Sequence, residues 1–309
     1  MPKLVRWKDN TERIFSDAIS TILSKNGLKV MGSQYYNISV IKHYESTQMC
    51  TYLSHDISFN SFDISYQKIG INEMNSEESV LECKLIVYTV DNGSLYYLGE
   101  SLIFQPVLRL LLNYTKQKEI EKDNYQVSSD MLMWIVSKAY SNENKISIEP
   151  FSDLILKKIV ELKGKTNDEV NQIEAKGETV LKLLSTLSFI LESSAYKSAD
   201  IQLTYGPYHN LIIRLFCATR ISFDTSRYSG KYEGMGEYEC NDRLSILIYT
   251  ELLPMLLKYY NQEVESNAWT KDKKVEFLQK IAGDVKEKIS QKINQITLDN
   301  SNFAHLKPL

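Results

Sequence analysis

Between Tyr35 and Phe104 the chain carries five β-branched and aromatic runs: Asn37 to Tyr44, Met49 to Leu53, Asp56 to Gln67, Val80 to Val90 and Leu95 to Phe104. The last two are joined by Asp91-Asn92-Gly93-Ser94, in which Asn-Gly suits the positive φ angles of a tight hairpin turn. This block predicts an antiparallel sheet. Before it, Ile14, Phe15, Ala18, Ile19, Ile22 and Leu23 recur at helical spacing and predict an amphipathic helix. Asp9 with Glu12 reads as its capping box and Asn26-Gly27 as its stop.

After a short helical stretch from Pro106 to Tyr114, Lys116 to Asn124 is almost entirely polar and of mixed sign, which marks an exposed link. A boundary here divides the chain into residues 1–117 and 125–309. The second part reads as a helix from Asp130 to Tyr140 and an alternating strand from Phe151 to Lys163. Thr166 with Glu169 reads as a cap for a helix containing Val180 to Leu191, and Asn167 to Lys176 fits helix or strand. Ile201 to Tyr205 and Leu211 to Phe223 form a hairpin about Gly206 to Asn210, followed by a loop from Asp224 to Asn241. A helix from Asp242 to Tyr260 should kink at Pro254, and a final helix runs from Lys271 to Thr297. The class is α+β: an N-terminal helix with a mainly antiparallel sheet, then a C-terminal half of helices around a short sheet.

The 36 Lys and Arg against 39 Asp and Glu give a net charge of −3, without the basic excess that draws a whole chain to nucleic acid or an anionic membrane. The most apolar stretch, Leu244 to Leu257, is broken by Glu251 and Pro254 and is too short to span a bilayer. Cys50, Cys83, Cys217 and Cys240 match no zinc spacing and no catalytic pair. With no signal-peptide core at the N-terminus, the expectation is free thiols, no metal and a cytoplasmic location.

One motif points to chemistry. Glu82-Cys83-Lys84 lies in a predicted strand, with Asp63 on the strand before it. Metal-dependent nucleases place an acid and a Glu-x-Lys pair in this way, so that two carboxylates hold Mg²⁺ and the lysine steadies the attacking water. Acid-x-Lys also occurs at Glu143, Glu161, Glu174, Asp272 and Asp284, and the ordinary alternative is an edge strand showing a polar face. His43 and His55, with Asp56, flank the second strand and read as surface histidines rather than a metal pair.

The loop from Asp224 to Asn241 lacks a phosphate-binding fingerprint, and Glu233, Glu237 and Glu239 would repel a phosphate. Its Arg227, Tyr228, Lys231, Tyr232 and Tyr238 suit a protein contact. The tyrosine pairs Tyr35-Tyr36, Tyr96-Tyr97 and Tyr259-Tyr260 suit packing or protein contact, a strand pair giving one ring to the core and one to the surface. Lys157, Lys158, Lys163 and Lys165 could follow a phosphate backbone or protect a strand edge. On the last helix Val275, Leu278, Ala282, Val285, Ile289 and Ile296 form a seam that Lys292 and Gly283 interrupt.

Together these features favour a non-enzymatic binding or assembly subunit acting through protein contacts, a homo-oligomer with no cofactor and no membrane partner. The competing reading is a metal-dependent nuclease with Asp63, Glu82 and Lys84, which would need Mg²⁺. A third is a nucleic-acid-binding protein of the kind used in prokaryotic antiviral defence or by mobile elements.

Overall fold

In the computed structural model the described residues are 3–32, 34–53, 55–68, 79–100, 104–116, 118–123, 125–141, 143–166, 172–177, 180–218 and 220–304. In chain order the first half holds β1 (Val5–Asp9), α1 (Phe15–Leu23), β2 (Val30–Met31), β3 (Tyr35–Lys42), β4 (Gln48–Tyr52), β5 (His55–Lys68), β6 (Ser79–Val90), β7 (Leu95–Gly99), α2 (Phe104–Leu111) and β8 (Ile120–Lys122). The second half holds α3 (Ser129–Tyr140), β9 (Lys145–Ile146), β10 (Leu154–Thr166), β11 (Gln172–Lys176), α4 (Leu184–Glu192) and β12 (Ser193–Tyr205). It continues with β13 (Tyr208–Phe216), β14 (Ile221–Asp224), β15 (Ser229–Gly230), α5 (Glu237–Leu247), α6 (Leu253–Glu265) and α7 (Lys271–Ala304). The fold is mixed α+β.

The first sheet has eight strands in the order β2-β3-β5-β6-β7-β1-β8, with β4 paired to β5, and every pairing is antiparallel. Phe62, Ile64 and Tyr66 of β5 and Cys83, Leu85 and Val87 of β6 face one way and bury against α1 and α2. Ile57 and Phe59 of β5 and Ile86 and Tyr88 of β6 face the other way, into a core shared with the second half. With both faces buried, a one-residue slip of register would expose each apolar set, so the pairing is strongly determined.

The second sheet has seven strands and is not short: its main order is β11-β10-β12-β13-β14, with β9 on β10 and β15 on β13. Its apolar face, with Leu156, Leu162, Ala199, Ile201, Leu203 and Ile213, joins Trp134 and Ile135 of α3 in the shared core. A three-residue 3-10 turn, Val180–Lys182, precedes α4. The capping expectation rested on Glu169, which lies outside the described residues, and Thr166 ends β10. Of the ambiguous segment, the described part is strand.

Several local expectations change. Asp9 belongs to β1 and does not cap α1, whose N-cap, Ile14, makes no side-chain cap bond. Its buried carboxylate instead accepts hydrogen bonds from the Tyr97 and Tyr114 hydroxyls. In the β6–β7 turn the positive φ angles belong to Asp91 (50°) and Asn92 (54°), one position earlier than the Asn-Gly pair suggests. The Lys116 to Asn124 link contains β8, which pairs with β1 and buries Ile120. Leu211 to Phe223 is two antiparallel strands rather than one, and the hairpin before it closes tightly through Gly206-Pro207. Both rings of Tyr96-Tyr97 pack inside because both sheet faces are covered there.

Helices α5 and α6 are continuous through a π-turn, Ile248–Leu252. Pro254 has no N–H to give the Thr250 carbonyl, so the widened turn accommodates the proline that was expected to kink the helix. This long helix lies across the shared face of the first sheet and leaves a cavity at each of two places along it. Among the described residues, no helix is long and apolar enough to cross a membrane.

Candidate functional site

Asp63 and Lys84 are direct cross-strand partners, and Glu82 pairs with Ser65 one step further along. Alternation places all four on the face that carries Ile57, Phe59, Ile86 and Tyr88. The second half covers those apolar residues and ends at the N-terminal turns of α5, so Asp63, Glu82 and Lys84 emerge at the margin. They line one cavity of about 390 Å³ with Ile41, Glu100 and Tyr238. The three residues singled out in the sequence thus share a face and an opening.

Their partners are specific. Lys84 Nζ lies 2.6 Å from Asp242 Oδ1 and 4.9 Å from the centre of the Tyr238 ring. Asp242, on α5, is fully buried and its other oxygen accepts from Tyr44 Oη at 2.8 Å and Ser61 Oγ at 2.6 Å. His43 Nε2 is 3.0 Å from Asp63 Oδ2, and the imidazole stacks on Tyr238 at 4.7 Å. Burial raises the Glu100 carboxyl above its usual range, and Asp63 adds to this, while Lys84 opposes it. Glu82 is exposed.

In chemical terms, the opening has the oxygen ligands a hard cation needs, but their geometry serves other bonds. Lys84 is held by Asp242 and Asp63 by His43. Among the described residues, no group of three His, Cys, Asp or Glu side chains is placed to hold a metal ion. β6 is not an edge strand, because it is flanked by β5 and β7, and Lys84 is mostly buried.

His43 and His55 do not meet, since His55 Nδ1 pairs with Asp91 Oδ2 at 2.5 Å. The loop before α5 is not a free tyrosine surface. Tyr232 is 2 % exposed and donates to Tyr52 Oη at 2.7 Å, Tyr228 is half-buried and accepts from the Tyr232 amide at 3.1 Å, and Lys231 sits beside the Tyr232 ring. Arg227 is exposed, and Tyr238 is exposed at the rim of the Asp63 cavity. The loop is pinned where Ser229–Gly230 pairs with β13.

Lys163 and Lys165 lie where β10 runs between β11 and β12 and guard no edge, whereas Lys157 and Lys158 lie where, among the described residues, β12 alone pairs with β10. Lys157 is exposed, Lys158 and Lys165 are half-buried, and Lys163 Nζ lies 3.0 Å from both Glu161 and Glu174. This last contact reveals a cluster that sequence reasoning missed. Glu161 stands opposite Asp200, both are almost fully buried, and Arg214 binds Asp200 at 2.6 Å and Glu161 at 2.9 Å. Burial raises the Asp200 carboxyl, and Arg214 opposes that rise. Glu161-Leu162-Lys163 was one of the repeated acid-x-Lys pairs, and only the distant strand β12 sets it apart.

Comparison with models of protein families and with curated protein sequences finds no match to this chain.

Proposed function

We propose that the protein is a non-enzymatic assembly subunit that pairs with a second copy of itself through the end of α7 and the adjoining start of α4. One observation carries this reading. Ile289, Ile293 and Ile296 are 43 %, 57 % and 51 % exposed and follow one another at steps of four and three on α7. Leu183 and Leu184, also exposed, lie close by, where Lys288 Nζ bonds the Lys182 carbonyl at 2.6 Å. Nearer the start of α7, Phe277, Leu278, Ile281 and Val285 hold the helix to the body, and the exposed isoleucines continue that stripe beyond it. Single exposed apolar residues are ordinary, but a grouped patch on one helix is what a contact surface needs. A two-fold pairing of antiparallel helices sets Ile289 against Ile296 of the second copy, with Ile293 near the axis. Light scattering at tens of micromolar, an order-of-magnitude working concentration, should give twice the 35.7 kDa chain mass. A monomer under those conditions overturns the reading.

A second reading draws on the shared opening of Asp63, Glu82, Lys84 and Glu100. A metal-dependent nuclease would use Asp63 and Glu82 toward Mg²⁺ and Lys84 toward the attacking water. The present bonds of Lys84 and Asp63 do not fit that use, so no step is derived through a metal. Cleavage of DNA or RNA on adding Mg²⁺ or Mn²⁺, lost in Glu82→Ala, would establish this reading in place of the first.

A further inference from the structure

The second cavity beneath the long helix lies at its π-turn. It has a volume of about 180 Å³, many times the roughly 10–15 Å³ that one water requires, and opens to the surface. Arg6, Tyr52, His55, Tyr96 and Tyr125 line it from the first half and the link, and Thr250 and Glu251 line it from the π-turn. Arg6 and Glu251 are each 5 % exposed.

These two charges are treated differently by the protein. Arg6 is paired: its Nε binds Asp123, and its Nη1 donates to Tyr88 Oη at 3.0 Å and to the Tyr249 carbonyl at 2.8 Å. The guanidinium sits 4.8 Å from the ring centres of both Tyr96 and Tyr125. Glu251 accepts from the Tyr205 hydroxyl and from the Leu53 amide, and among the described residues no Lys or Arg is ion-paired with it. A buried carboxylate normally has a cation against it, because desolvation of the charge is otherwise uncompensated. Here the group stands beside a polar cavity instead.

The backbone around it is also unusual. Glu251 belongs to the π-turn, and Leu53, another lining residue, has a φ of +48°. A left-handed leucine is uncommon and carries strain that the surrounding structure must hold. Together these features give a small, partly open space lined by a buried carboxylate without a paired Lys or Arg, a buried guanidinium and the phenol rings of Tyr52, Tyr96 and Tyr125.

We propose that this cavity binds a small zwitterion of the α-amino-acid type, its ammonium group against Glu251 and its carboxylate against Arg6. The site joins both halves of the chain, and it is independent of the α7 contact and of the Asp63 cavity.

The test is calorimetric titration of the full chain with glycine, L-alanine, L-serine and L-threonine, beside sodium acetate and methylammonium chloride as the two halves of the ligand. At least one amino acid should bind saturably with one site per chain, while acetate and methylammonium alone bind at least tenfold more weakly. Glu251→Gln, which keeps the shape and the Tyr205 contact, should weaken the amino acid at least tenfold with the melting temperature retained. Val90→Phe fills the space without removing a polar group and should abolish binding, which covers the case in which the Gln variant folds poorly. The proposal is overturned if none of the four amino acids binds at millimolar concentration, if acetate or methylammonium binds as well as they do, or if both variants bind like wild type.

Discussion

Lys84 on β6 and Asp242 on α5 form a 2.6 Å ion pair in which the carboxylate is wholly buried and the lysine side chain is 16 % exposed. The pair ties the first sheet to the helix that crosses it, and Tyr44 and Ser61 complete the coordination of the carboxylate. Lys84 therefore holds the two halves together, whatever else the adjoining cavity does.

Lys84→Ala should destabilise the fold by about 3–5 kcal/mol, because it leaves Asp242 buried and uncompensated. Glu82→Ala, at an exposed position, should change stability by no more than about 0.5 kcal/mol. Urea unfolding of both variants checks this. Equal, small effects would remove the structural role assigned to Lys84.

Ile293→Asp should convert the dimer to a monomer while leaving the melting temperature of the body within a few degrees of wild type. The side chain is 57 % exposed, so the change adds no buried charge unless a second copy covers it. Sedimentation of wild type and variant at matched concentration reads the difference.

Gly230→Ala should release the loop before α5. A Cβ at this position would lie 2.1 Å from the Pro207 carbonyl oxygen, and φ there is +123°. An expected loss of about 1–3 kcal/mol follows from the backbone conformation alone, and the clash adds to it. Faster hydrogen exchange at residues 229–232 should accompany the lower unfolding midpoint.

Glu251 predicts a pH dependence. Burial raises its carboxyl above the usual carboxylate range, with the Tyr205 hydrogen bond, the Leu53 amide, Lys231 and His55 opposing the rise. The folded state then holds the proton more tightly than the unfolded chain does. Its contribution is fully present below the unfolded value and is lost as pH rises through the raised folded value. The stability of Glu251→Gln relative to wild type should therefore increase as pH is raised from about 4 towards neutrality. Denaturant unfolding across that interval tests the sign, and a flat difference would count against it.

Cys50, Cys83 and Cys240 should react slowly. All four cysteines are free, but Cys83 and Cys240 are buried and burial pushes the Cys50 thiol up to about 11, whereas Cys217 is exposed. At pH 8 few of these three are thiolates, so their alkylation in the native protein should be more than an order of magnitude slower than that of a free thiol. Mass spectrometry before and after denaturation measures this.

The strands and their faces were legible from residue order, because alternation in Asp56 to Gln67 and Val80 to Val90 is a local property of period two. It placed Glu82 and Lys84 on one face, while only the β5–β6 register brought Asp63 onto the same face, and the six-residue apolar stripe from Ile14 to Leu23 marked α1. The hairpin at Asp91 was legible for the same reason, since its turn chemistry lies within four residues. Other features depended on segments far apart in the chain. Val5–Asp9 enters the sheet between β7 and β8, and its Val5-Arg6-Trp7-Lys8 alternation is too short to mark a strand by itself. Asp242 looked like an ordinary helix-start acid until α5 packed over Lys84. Glu161 resembled five other acid-x-Lys pairs until β12 brought Asp200 beside it and β13 brought Arg214. Periodicity carries which way a side chain points. What it meets there depends on register and packing between distant elements, and those are settled only when apolar faces are buried together and each buried charge has found its partner.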